Sequence, residues 1–370
     1  MSLDPRLTIV LTLKDRVPFT LRWMRFVNEE RFPFRIIIAD GGTDNAAGEI
    51  LGNKSNFPNV TYDYIRYPID ESVTVYYKKV SDSLSRVEAP YLLLADNDDF
   101  FCVEGIIKSL EFLEENPEFV ASRGNYLGFS VKTKHVDDNG DKLELYGEID
   151  LRGLIYPSVI HGEENAADRL INYFTAWSPN WYNVYRTDIF RSCWNQICDL
   201  EMKEIHLMEH TLSALLVTKG KIFAGYYPYY YRQYGGQGVT ASIEAMKTQG
   251  DYFDKMLIES WSKDYASFLK IIAGSIVERD NITDEDANKI VKNAYRKFMG
   301  PTVAIPFVIE FERKNIAAMG KIRKTFHICK KKICQLKAVL SEQTSKDGNR
   351  KLQYADQPTH RIREFLLKKP

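Results

Sequence analysis

The run Tyr91-Leu92-Leu93-Leu94-Ala95 is apolar at every position and stops abruptly at Asp96-Asn97-Asp98-Asp99. A strand with no polar face does not fit a sheet that is wet on one side. It fits a sheet covered on both faces, the setting of parallel strands joined by helices. Such a strand delivers its last residues into the crevice where open α/β sheets bind ligands. Asp96 and Asp98, two apart in an extended chain, face the same side. Hard oxygen ligands on one face suit Mg2+ or Mn2+ and leave coordination positions for phosphate oxygens. The same triplet also serves as a solvated turn or a helix N-cap, so its context decides.

That context is an alternation of strand and helix. Leu7–Leu13 is a β-rich run, 19–30 is helical, and 34–39 is a second apolar strand closing on Asp40-Gly41-Gly42. A third strand over 60–67, a helix over 76–87 and a helix over 104–115, stopped by Asn116-Pro117, complete the pattern. The alternation predicts an α/β fold with a doubly wound, mostly parallel sheet. Order is less regular afterwards, with strands expected over 119–126, 130–133 and 181–185 and helices over 166–175 and 203–219. In the aromatic segment 226–232, Pro228 argues for an edge strand. Beyond 241 the periodicity turns helical, over 245–262, 265–277 and 284–298. The expected division is an α/β unit over 1–240, with halves 1–125 and 126–240, and an appended helical region over 241–370.

At 370 residues the chain exceeds a typical single domain, and 44% hydrophobic content supports a sizeable core. A formal net charge of zero argues against a surface built for nucleic acid. The segment 313–337 nevertheless carries basic residues and no acidic one. It reads as a solvated helix face, or as a membrane-surface helix dipping Ile316, Met319, Ile322, Phe326, Ile333 and Leu336 into lipid. Nucleic-acid binding is disfavoured because stacking aromatics are sparse there. Five cysteines fit reduced thiols better than a disulfide framework, and Cys193/Cys198 and Cys329/Cys334 are not spaced like a zinc ribbon. With no signal peptide pattern and no run long enough to span a bilayer, the expected location is cytoplasmic, extending to the inner face of a membrane if the basic segment docks there.

Asp40 precedes two glycines, where backbone approaches a ligand closely. Its carboxylate can accept from a ribose hydroxyl or a base N–H, or simply cap the turn. Taken together, the segments Thr8 to Arg16, Ile36 to Asn45 and Leu92 to Asp99 resemble the core of the family 2 glycosyltransferases over roughly residues 7 to 235. The resemblance implies a GT-A fold, a nucleoside diphosphate sugar as donor and usually a divalent metal, Mg2+ or Mn2+. It makes 1–125 the nucleotide-binding half and 126–240 the acceptor-binding half.

By that resemblance Asp40 matches the carboxylate contacting the nucleobase, and Asp96 and Asp98 match the D-x-D motif. Thr12 and Arg16 match positions near the base and ribose, and Lys78 or Lys79 a basic residue directed to the nucleotide. Arg232 matches a group that neutralises the phosphates, and the glycines from Gly235 to Gly238 would permit a lid to close. Sugar transfer also needs a base to deprotonate the acceptor hydroxyl. Family members commonly carry Glu-Asp where this chain has Glu209-His210, which leaves either residue as base, Glu209 being favoured. In the plainer alternative Glu209 faces solvent, while His206 and His210, four apart, form a surface pair lacking a third metal ligand. Trp177 and Trp181 would stack on an acceptor sugar or fill the core.

The expected activity is therefore a metal-dependent, inverting transfer of a sugar to a glycan or lipid-linked acceptor, with no nucleic acid as partner. The alternatives are a non-catalytic nucleotide- or membrane-binding scaffold of the same fold and a nucleotidyltransferase. The latter would carry a glycine-rich phosphate loop after its first strand, which Thr12 to Arg16 lacks. A haloacid-dehalogenase phosphatase would need its D-x-D near the first strand.

Overall fold

The computed structural model describes residues 3–132, 145–234, 252–315 and 356–368. Its first half is built from β1 (Leu7–Leu13), α1 (Val17–Glu29), β2 (Arg35–Asp40), α2 (Ala46–Leu51), β3 (Tyr62–Arg66), α3 (Val73–Ser85), β4 (Tyr91–Ala95), β5 (Phe100–Phe101) and α4 (Val103–Glu115). The second half adds β6 (Phe119–Lys132), β7 (Glu148–Leu154), α5 (Ala166–Thr175), β8 (Val184–Arg186), α6 (Thr187–Asp199), α7 (Ile205–Lys219) and β9 (Lys221–Gln233). Helices Tyr252–Met256, Glu259–Asp280, Asp284–Asn315 and Asp356–Leu367 follow.

One nine-stranded sheet runs β3-β2-β1-β4-β8-β6-β9-β5, with β7 paired to β6. The β3-β2-β1-β4 portion and the β6-β9 ladder are parallel; β8, β5 and β7 enter antiparallel. The continuous apolar character of the first strands follows from their two-sided burial. Alternate residues go to opposite layers: Val10, Ile37, Leu92 and Leu94 join one core, while Ile9, Leu11, Ile36, Ile38 and Leu93 join the other.

Pro228 does not mark an edge. β9 lies between β6 and β5, and Pro228 falls opposite Asn125, where the β6–β9 register shifts, so its missing N–H interrupts no regular ladder. The two short strands expected over 119–126 and 130–133 are one, β6.

The helices beyond residue 258 are not a separate body. Trp261, Phe268, Ile272, Ile276, Val291 and Tyr295 share a core with α5, α6 and α7. The helix Asp356–Leu367 instead packs on the first half, where Phe365 lies 5.2 Å from the Phe26 ring and 6.0 Å from that of Phe100. Arg361 pairs with Glu104 at 2.7 Å and Lys368 with Glu29 at 3.1 Å. The expected basic segment lies almost wholly outside the described residues, as does the glycine stretch 235–238. Among the described residues no helix is long and apolar enough to cross a membrane.

Candidate active site

Parallel register brings the carboxyl ends of three strands together. Thr12 pairs with Ala39, Leu13 with Asp40 and Leu11 with Ala95, so the turns after β1, β2 and β4 lie side by side at one edge of the sheet, where open α/β sheets bind ligands. Asp40 is 2% exposed and heavily engaged. Its Oδ1 accepts from Gly42 N at 2.8 Å and pairs with Arg66 at 3.1 Å, and its Oδ2 accepts from the Tyr64 hydroxyl at 2.5 Å. The turn-capping role is thus present, and Arg66 adds a cation beside it.

After β4 the chain places ligand oxygens of Asp96, Asp98 and Asp99 within 4.8 Å of one another. Each carboxylate has a separate support. Asp96 accepts from the Tyr182 hydroxyl, Asp98 from Arg16 Nη1 at 3.1 Å, and Asp99 from the Tyr230 hydroxyl and from Gln233 N at 2.7 Å. Burial, reinforced by the charge of Asp98, pushes Asp96 up to about 6, against the Tyr182 hydrogen bond and the charges of Arg232 and Arg16. Burial and Asp98 likewise raise Asp99 well above the usual carboxylate range. Three hard oxygen donors whose mutual repulsion resists ionisation form a set that suits a divalent cation, so these residues fit Mg2+ or Mn2+.

The turn is held by α1. Arg22, fully buried, donates from Nη2 to the Asp98 carbonyl at 2.8 Å and from Nη1 to Gln233 Oε1 at 2.8 Å and Leu145 O at 3.0 Å. Thr20 Oγ1 accepts from Asn97 Nδ2 at 2.9 Å. Asp99, Tyr182, Tyr230 and Arg22 were not singled out by sequence reasoning. Only Asp99 carried a local signal, as the third acid of the run; the others become neighbours through long-range topology.

Glu209 sits on α7, which is apolar nearly all round because it is packed between α5, α6 and the helix Glu259–Asp280. From His206 to Thr218, Glu209 alone is half-buried rather than buried. Burial raises the Tyr76 phenol, with the charges of Asp96, Asp70 and Glu209 adding to it. Thr12 Oγ1 stands 3.5 Å from that Tyr76 hydroxyl. The surface pair of histidines is not found: His206 and His210 are both buried, because the helices after 252 cover them. His210 lies among Trp177, Tyr252, Tyr295 and Phe298.

The other expected residues divide. Arg232 lends positive charge to both Asp96 and Asp99. Lys78 is exposed and 4.0 Å from Glu201, on the outer face of α3. Lys79 is buried, pairs with Asp70 and donates to Leu13 O at 2.8 Å. Trp177, half-buried, packs against Tyr156 and Phe298, and Trp181, also half-buried, against Trp194, both at the margin of the core. Cys193 and Cys198 are free, and Cys329 and Cys334 lie outside the described residues.

No protein-family model matches the sequence, nor does the sequence of any curated protein. Solved structures do match in fold. S. aureus TarS 1-349 in complex with UDP-GlcNAc aligns with a TM-score of 0.50 at 14% identity, over 80% of this chain and 73% of that one. The same TarS fragment in complex with UDP aligns at 0.48 and 14% identity, over 80% and 72%. Against a longer TarS chain the match covers 43% of that chain's length. At this identity the likeness is one of fold, a mixed α/β sheet covered by helices.

Proposed function

We propose that the chain is a glycosyltransferase that takes a sugar from a nucleoside diphosphate donor, with a divalent metal and inversion at the anomeric carbon. The observation that carries this reading is the carboxylate cluster Asp96/Asp98/Asp99 at the end of β4, on the same edge of the parallel sheet as Asp40 at the end of β2. A fold shared with a structure solved with UDP-GlcNAc supports it.

In this reading Asp40, with Arg66, receives the base and ribose, Thr12 lines the floor, and Arg16 and Arg232 offset charge on the departing diphosphate. Asp96, Asp98 and Asp99 hold Mg2+ or Mn2+, which when bound supplies Lewis-acid stabilisation of that leaving group. Glu209 Oε accepts the proton of the acceptor hydroxyl as its oxygen attacks the anomeric carbon and the bond from that carbon to the diphosphate breaks. One displacement with no covalent intermediate inverts configuration. Glu209 is the base because His210 is enclosed in aromatic side chains and hydrogen-bonded to Tyr295. Lys78, on the outer face of α3, has no part in donor binding. A glycan or lipid-linked acceptor enters from the α7 side.

The test is calorimetric titration of the protein with UDP, GDP, CDP and dTDP, with and without Mn2+, alongside Asp98→Ala. Metal-dependent binding of one nucleotide, lost in the variant, is the expected result. Failure of all four to bind overturns the donor-site reading.

A further inference from the structure

Resting on the reading above, we infer that Arg16 and a divalent cation compete for the carboxylate of Asp98, and that the donor's diphosphate resolves the contest by drawing the Arg16 guanidinium onto itself. Metal and nucleotide would then bind cooperatively through one arginine.

The argument begins with the charge at Asp98. Arg16 Nη1 is 3.1 Å from Asp98 Oδ2, a direct ion pair, whereas the hydrogen bonds to Asp96 and Asp99 come from phenols and a backbone N–H, with Arg232 adding charge to both. A metal bound to the same carboxylate would face the guanidinium at short range, and like charges so placed repel. An anion lying between them removes the repulsion.

Arg16 is also built to be redirected. Its backbone is in the left-handed region at φ 56°, directly after Asp15 at φ 57°, an uncommon conformation for two successive residues with side chains. Asp15 Oδ1 holds this turn from outside, accepting from Thr43 N at 2.6 Å and Thr43 Oγ1 at 2.8 Å, which fixes it to the loop after Asp40. The guanidinium rests over the Phe19 ring, 4.2 Å from its centroid, and its Nε is buried with no hydrogen-bond partner. An arginine with donors to spare, next to the crevice and anchored to the loop that carries Asp40, suits a diphosphate.

Release of Asp98 by Arg16 need not disturb the turn. Arg22 holds the Asp98 carbonyl at 2.8 Å and stands 4.9 Å from the same Phe19 ring, so the backbone remains supported when the side chain changes partner. Arg16 thus has two alternative partners and Asp98 one fixed position.

The experiment measures Mn2+ binding by the full chain, from the electron paramagnetic resonance signal of free Mn2+, with Mn2+ alone and with UDP present. Wild type, Arg16→Gln and Arg16→Lys are compared. Wild type should bind Mn2+ weakly alone and at least tenfold more tightly with UDP. Arg16→Gln should bind Mn2+ alone about tenfold more tightly than wild type, with the UDP enhancement reduced by a similar factor to what the attraction between metal and diphosphate supplies by itself. Arg16→Lys, which keeps the charge, should keep the weak binding of Mn2+ alone. Reciprocity requires UDP affinity to show the same enhancement by Mn2+. Unchanged or weaker Mn2+ binding in Arg16→Gln overturns the inference while leaving the metal site in place. Absence of Mn2+ binding by all three proteins overturns the metal reading itself.

Discussion

His210 Nδ1 lies 3.1 Å from the Tyr295 hydroxyl, which ties the imidazole to the helix Asp284–Asn315. Burial, with His206 adding to it, lowers His210 to about 3, so it is neutral and a poor proton acceptor at physiological pH. In the proposed reaction this makes its neighbour Glu209 the base. Glu209→Gln should lower turnover by about 10²–10⁴ with nucleotide affinity unchanged. His210→Gln should retain turnover within a few-fold and lose about 1–3 kcal/mol of stability. Release of nucleoside diphosphate from the donor, measured alongside urea melts, distinguishes them; a His210 variant as inactive as the Glu209 variant would reverse the assignment.

Three buried histidines give a direction to acid unfolding. His161 is lowered to about 4 by burial and Arg123, His206 to about 4 by burial and Lys255, and His210 to about 3. All lie below their ordinary value, so between that value and the folded one the unfolded chain binds more protons. Their contribution is full above about pH 6.5 and is lost as pH falls towards 4, at up to about 1.4 kcal/mol per pH unit for each. Asp96, raised to about 6, acts with the opposite sign between about pH 4 and 6, as do the buried and raised Asp99 and Asp70. The histidine contribution is therefore read from a variant, by comparing its urea midpoints at pH 7 and pH 5 with those of wild type. His161, whose two ring nitrogens have no hydrogen-bond partner among the described residues, can be replaced by Phe, and the variant should then hold more of its pH 7 stability at pH 5 than wild type does. An unaltered pH dependence contradicts its assignment.

Arg22 is a positioning residue for the Asp98 turn. Arg22→Met leaves the carbonyls of Asp98 and Leu145 and the Gln233 amide oxygen without their donor. The expected cost is about 2–4 kcal/mol, together with weakened Mn2+ binding. Arg22→Lys, which restores charge but not the fork, should recover part of the Mn2+ affinity. Denaturant melts and Mn2+ titration check this; equal Mn2+ affinity in all three proteins would show that Arg22 only fills space.

The Lys79–Asp70 pair stands almost wholly out of water, with side chains 2% and 3% exposed. Burial raises Asp70 and lowers Lys79 from their ordinary values, each opposed by the other's charge. Lys79→Met strands a buried acid and should cost about 3–5 kcal/mol, whereas Lys79→Met with Asp70→Leu should recover most of it. Equal destabilisation by the single and double variants would contradict this account.

The sequence reading located β1 and the neighbouring elements to within a few residues, because two-sided burial writes uninterrupted apolar runs and the chain alternates strictly there. It failed where pairing partners are distant. β7, largely exposed, and α6 left no clear expectation, and the strand expected over 181–185 is the shorter β8, Val184–Arg186, whose place between β4 and β6 no local pattern gives. Asp40, Asp96 and Asp98 were legible as carboxylates ending apolar strands. The choice between Lys78 and Lys79 was not, since it turns on which face of α3 meets Leu13 and Asp70. His206 and His210 looked like surface residues because only the later helices cover them.

Arg361 meets Glu104 across 257 residues of sequence, and Phe365 reaches Phe26 and Phe100 beside it. Phe100 immediately follows Asp99. During synthesis the first half emerges with this aromatic pocket open, and no local segment can close it. Contacts of such sequence separation form late. The carboxylate turn therefore gains this backing only after residues 356–367 have been made, more than 250 residues after Asp99 itself.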